Sequence, residues 1–249
     1  LDIKTFKEYF FEWRVTNDEF YEINKPFFVF NPKSYLYGEE LVQLAKVADT
    51  AAQKYPEVLV FVTAPYADLQ KVKDATNHVI VTAQHIDGIY PGRGIGHVLP
   101  ESVYAAGARA TFLNHAEKPL LVNELVKSIS RAKELGILTI VCADSIQEAK
   151  AIAKLDPDCI LCEPTELIGT GETSSEEYIH TTNDAIKSIN SSIAVMQAAG
   201  ISNENDVFRT ISLGADGTGC TSGIVKAENP SKMIEKMIEA VAKASENKG

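Results

Sequence analysis

Residues 137–163 read "ILTIVCADSIQEAKAIAKLDPDCILCE", two apolar runs separated by a segment of helical period. The runs "ILTIVCA" at 137–143 and "DCILCE" at 158–163 are apolar at nearly every position instead of alternating, the pattern of strands covered on both faces. Strands of that kind run parallel, and a parallel pair needs a crossover, which residues 145–154 supply as a helix. The stretch is one β-α-β unit.

The same unit recurs in both directions. Further strands are read at 26–31, 58–64, 78–84, 109–114 and 192–198, with a weak one near 217–221. Helices are read at 39–55, 121–135, 176–190, 203–210 and 230–246, with shorter segments after the second and third strands. Eight βα repeats in a chain of 249 residues match a closed (β/α)8 barrel, whereas a doubly wound open sheet more often has five to seven strands. One barrel domain over 26–249 is therefore expected, preceded by an aromatic and charged segment at 1–25 that holds Trp13, the sole tryptophan. That segment reads as a structural cap, plugging the barrel bottom or packing on another subunit.

Composition narrows the function. With 45% hydrophobic and 23% charged residues and no apolar run near the ~20 residues of a membrane helix, a soluble globular protein is expected. A net charge of −10 disfavours nucleic acid and anionic membranes, so a phosphate-bearing ligand would need a local positive site. Cys142, Cys159, Cys162 and Cys220 fit reduced cytosolic thiols. Cys159 and Cys162 have CxxC spacing, but three residues apart on a strand they face opposite ways, which argues against metal or redox use. The N-terminus lacks the pattern of a secretory leader.

A barrel's chemistry gathers where its strands end. Polar residues stop four apolar strands: Asn31 with Lys33, Gln84 with His85, Asn114 with His115 and Glu117, and Glu163. A carboxylate can take a proton from carbon beside a carbonyl, a histidine can polarise that carbonyl, and a lysine can offset enediolate charge. Glu163, His115 and Lys33 fill those roles, although each alone could equally be a helix-start charge, a strand-end histidine and a solvated lysine. Loops with small residues follow the last three strands, "GTG" at 169–171, "AAGIS" at 198–202 and "TSG" at 221–223, and their backbone N–H groups could meet a phosphate. No P-loop or dinucleotide fingerprint is present, and "GADGTGCTSG" at 214–223 has the wrong spacing for one. The five histidines, His78, His85, His97, His115 and His180, lie on separate segments, so neither a metal nor another cofactor is called for.

The segments "NPKSY" at 31–35, "AQHID" at 83–87, "NHAE" at 114–117, "EPTELIGTG" at 163–171, "AAGIS" at 198–202 and "SGIVKA" at 222–227 resemble, in order, those of the triosephosphate isomerase family, in particular its shorter archaeal-type branch. The resemblance implies a TIM barrel that interconverts glyceraldehyde 3-phosphate and dihydroxyacetone phosphate in the cytoplasm, as a homodimer or homotetramer. It implies Glu163 as base, His115 as neutral electrophile, Lys33 as charge partner and Asn31 as substrate-orienting group. Residues 164–171 would be a lid, and the Gly169, Gly171, Ser202, Ser222 and Gly223 backbone would hold phosphate. Departures from the family are Ala116 for a helix-capping serine, Thr165 for a proline, Arg93 and Ile95 for a serine and a threonine in a loop that reaches a neighbouring subunit, and Ala198 for a glycine. Such changes leave open a tetrose or tetrulose phosphate as substrate, or a non-catalytic barrel that binds a sugar phosphate.

Overall fold

The computed structural model describes residues 21–164 and 173–246. Its centre is a closed barrel of eight parallel strands: β1 (Phe27–Phe30), β2 (Leu59–Ala64), β3 (Ile80–Ala83), β4 (Ala110–Leu113), β5 (Leu138–Ala143), β6 (Cys159–Cys162), β7 (Ala194–Gln197) and β8 (Gly217–Cys220). Each strand pairs with the next, and β8 returns to β1 with Phe27 opposite Gly217. Around it run α1 (Gly38–Lys54), α2 (Leu69–Ala75), α3 (Pro100–Ala105), α4 (Val122–Leu135), α5 (Ile146–Ala153), α6 (Glu176–Lys187), α7 (Glu204–Ser212), the one-turn α8 (Ser222–Val225) and α9 (Pro230–Glu246).

Local chemistry sets the boundaries of these helices. Ser145 accepts the Glu148 N–H at the start of α5, Ser175 accepts the Tyr178 N–H at α6, and Asn203 caps α7. Gly136 ends α4 in the left-handed region, φ 68°, where a residue with a side chain is disfavoured. Ala116 lies in a turn well before α4, whose N-cap is Leu121, so the serine hydroxyl it lacks is not this helix's cap.

Two hydrophobic layers hold the barrel. Phe27, Val29, Phe61, Phe112, Ile140, Leu161 and Met196 fill its interior, while Phe28, Phe30, Val60, Val62, Val141 and Ile160 face the helices. Alternate residues of a strand point to opposite faces, so continuous apolar runs feed both layers at once. Cys159 belongs to the inner layer and Cys162 to the outer, as their spacing on a strand requires, and all four cysteines are free.

The weak signal of β8 has a steric cause. A Cβ on Gly217 would come within 2.3 Å of the Phe27 ring, and one on Gly219 within 2.6 Å of Met196 Cε. The strand that closes the barrel must give up its inward side chains to admit large ones from its neighbours. Tyr21 and Ile23 pack on the inner layer beside Leu59. The reading of residues 1–20 as a cap lies outside the described residues, and among the described residues no helix is long and apolar enough to cross a membrane.

Candidate active site

Asn31, Asn114 and Glu163 are each the first residue beyond a strand, after β1, β4 and β6. Asn31, Lys33, His115, Glu117 and Glu163 line one cavity of ≈ 280 Å³, with Ser202, Ser222 and Lys226 from the loops beyond β7 and β8. Its floor is the upper interior of the barrel: Val29, Phe112, Leu161, Met196 and Gly219.

Two of the loops carrying these groups are held in unfavourable backbone geometry. Lys33 has φ 51°, and its conformation is fixed by its own N–H, which donates to Asn31 Oδ1 at 3.0 Å, and by Gln84 Nε2, which donates to its carbonyl at 2.8 Å. Asn114 has φ 57°. Its carboxamide donates to the Cys142 carbonyl at 3.1 Å and to Glu148 Oε1 at 2.9 Å, and its Oδ1 accepts the Leu120 N–H at 3.0 Å. A left-handed non-glycine residue costs on the order of 1–2 kcal/mol, so such positions persist where surrounding bonds over-determine them. The bonds of Asn114 tie the His115 loop to β5 and α5.

His115 enters the site in one protonation state. The Glu117 N–H donates to its Nδ1 at 3.1 Å, so the ring proton resides on Nε2. Burial and the nearby Lys33 charge together hold its pKa below the ordinary 6.5, against an opposing pull from Glu117. The imidazole is thus a neutral donor at neutral pH. Glu163 is shifted the other way: burial raises its pKa above 4.5, Lys33 lowers it and Glu117 raises it further. Lys33 Nζ lies 2.5 Å from Glu117 Oε1, which holds Glu117 below the ordinary carboxylate value.

The opposite wall is assembled from close backbone contacts. A Cβ on Gly223 would meet the Ser202 carbonyl oxygen at 2.5 Å, so only glycine lets the loops beyond β7 and β8 touch there. The Cys220 thiol donates to the Ile201 carbonyl at 3.2 Å across the same seam, and the Gly223 and Ile224 amides are directed at its sulfur. Ser202 is already partnered: its N–H and Oγ both donate to Asp206 Oδ2, at 2.9 and 2.7 Å.

Gly169, Gly171 and Thr165 lie outside the described residues, as does the expected lid apart from Pro164. Gln84 and His85 line an adjoining cavity of ≈ 420 Å³ instead, where His85 Nε2 is 3.0 Å from Asp87 Oδ1. His85 is a partnered structural histidine at the base of the loop after β3. The sequence reading gave no role to Glu148 or Lys226, and it left Glu117 as a strand-end polar residue. The spacing of Lys226 four residues after Ser222 was the available signal, and it became useful only once a one-turn helix aligned the two.

The sequence profile of the family described as Triosephosphate isomerase matches residues 26–240. The chain is 37% identical over 218 residues to a triosephosphate isomerase of Methanocaldococcus jannaschii, covering 86% of this chain and 99% of that relative. It is 34% identical over 227 residues to one of Sulfurisphaera tokodaii, with 90% and 98% covered, and 36% identical over 221 residues to one of Methanobacterium bryantii, with 87% and 97% covered.

Proposed function

The chain belongs to the triosephosphate isomerase family and interconverts glyceraldehyde 3-phosphate and dihydroxyacetone phosphate, and we propose that it does so through an enediolate handled by Glu163, His115 and Lys33. The observation that carries the mechanism is the pairing of a carboxylate raised by burial with an imidazole held neutral, both lining one cavity lined also by an ammonium.

Glu163 removes a proton from C1 of dihydroxyacetone phosphate, and the C–H electron pair moves to form the C1–C2 double bond while the carbonyl pair moves onto the C2 oxygen. His115 Nε2–H donates to that oxygen, and Lys33 offsets its charge. Proton exchange between the two oxygens through the imidazole, followed by return of the proton from Glu163 to C2, gives glyceraldehyde 3-phosphate. Burial serves this sequence because a carboxylate with a raised pKa is the stronger base. Asn31, whose backbone N–H is fixed on the Cys220 carbonyl at 3.2 Å, orients the substrate.

The phosphate is held where the loops beyond β6, β7 and β8 meet, by backbone groups of Gly169, Gly171, Ser222 and Gly223. The Gly223 amide gives up only a sulfur, a weak acceptor, in turning to an anion. Ser202 contributes its amide on releasing Asp206. The lid of residues 164–171 closes over the bound substrate and excludes water. The protein works in the cytoplasm as a homodimer or homotetramer.

Incubation with dihydroxyacetone phosphate in deuterated water tests the mechanism. Exchange of one C1 proton and appearance of glyceraldehyde 3-phosphate are expected. Absence of both would refute the assignment.

A further inference from the structure

We propose that Lys226 is a substrate-binding residue whose ammonium takes part of the phosphate charge, an inference that rests on the sugar-phosphate reading of the site. A phosphate monoester brings a charge of about −1.5 to −2 at pH 7. It would enter a chain of net charge −10, and a cavity whose wall already holds Glu117 and Glu163. Among the described residues two lysines line that cavity, Lys33 and Lys226. Lys33 is engaged 2.5 Å from Glu117 and stands beside the reacting carbons, on the side of His115 and Glu163. Lys226 makes no ion pair among the described residues.

Among the described residues, the wall formed by the loops beyond β7 and β8 has Lys226 as its one charged donor. The Ser202 amide and hydroxyl are both spent on Asp206 Oδ2, and the Asp206 carboxylate itself opposes an anion. Lys226 is placed to answer both. Its N–H donates to the Ser222 carbonyl at 3.0 Å, one turn back, so the two side chains lie on one face of the chain, and both line the cavity. The four-carbon stem lets the ammonium reach a phosphate seated on Ser222.

The test measures kinetics of K226Q and K226R with glyceraldehyde 3-phosphate and with phosphate-free glyceraldehyde, and inhibition of each protein by inorganic phosphate. A charge-assisted contact predicts that K226Q loses about 10-fold to about 100-fold in kcat/KM for the phosphorylated substrate, mainly through KM. The same change should weaken inhibition by phosphate about 10-fold or more, cost at least 10-fold less with glyceraldehyde, and be largely rescued in K226R. Equal losses with both substrates, or an unchanged phosphate inhibition constant in K226Q, would overturn the proposal. An inactive wild-type protein would instead sink the isomerase reading, so the two failures are distinguishable.

Discussion

On the side of the cavity formed beyond β1, β4 and β6, the proposed chemistry resides in ionisable side chains whose pKa values are pushed apart, Glu163 upward and His115 downward. On the side formed beyond β7 and β8, it resides in how closely two loops approach, with Gly223 against the Ser202 carbonyl and Cys220 bonded to Ile201. A wall that transfers protons tolerates little change of functional group, while a wall that binds an anion tolerates little change of shape. A carboxylate or imidazole has few replacements of matching basicity, whereas an amide N–H is offered by every residue but proline and matters by its position.

Glu163→Gln keeps the shape of the first wall and removes its base. Isomerisation and deuterium exchange should fall by roughly 10³-fold, while binding of inorganic phosphate is retained. The same substitution should raise Tm at pH 7. A carboxyl whose folded pKa lies above 4.5 holds its proton more tightly in the folded protein, so the stability it confers is present in acid and lost as pH rises through the folded pKa. The Tm difference between wild type and variant should therefore shrink as pH approaches 4.5 from above, and equal melting at pH 7 would contradict the buried-base assignment.

Gly223→Ala tests the other wall. The added methyl must displace backbone at Ser202, at a cost of about 1–3 kcal/mol, seen as a Tm lowered by several degrees. KM for the phosphorylated substrate should rise about 10-fold with a smaller change in kcat, the split expected if this wall binds and the other wall reacts. A loss confined to kcat would erase the distinction between the two sides.

The smallest effect is expected from Glu117→Gln, which removes a like charge near Glu163. The acidic limb of the kcat/KM profile, set by ionisation of Glu163 above 4.5, should move to lower pH. Burial is the larger cause of the shift, so the limb should stay above the ordinary carboxylate value. An acidic limb unmoved or moved upward would show that Glu117 does not act on the base.

The residues proposed to transfer protons stand out in the sequence for a simple reason. Glu163, His115 and Lys33 interrupt or follow apolar runs, and a strand buried on both faces has no cause to finish on a charge unless its end opens into a site. The β8 strand was nearly invisible because Gly217 and Gly219 are dictated by Phe27 and Met196, residues far away in the chain. His85, like His115, stands just beyond a strand end, though only His115 is assigned a catalytic role from the sequence. Only the fold turned His85 onto Asp87 and gave His115 its Glu117 amide.

The repeating βα pattern and the polar residues that end its strands follow from the chain alone, because periodicity and strand-end polarity are local patterns. Tertiary structure alone decided which ring nitrogen of His115 carries the proton, that Ser202 is spent on Asp206, and that Lys226 shares a wall with Ser222. Protonation and donor supply depend on what surrounds a group in space, and those neighbours come from loops separated by most of the chain.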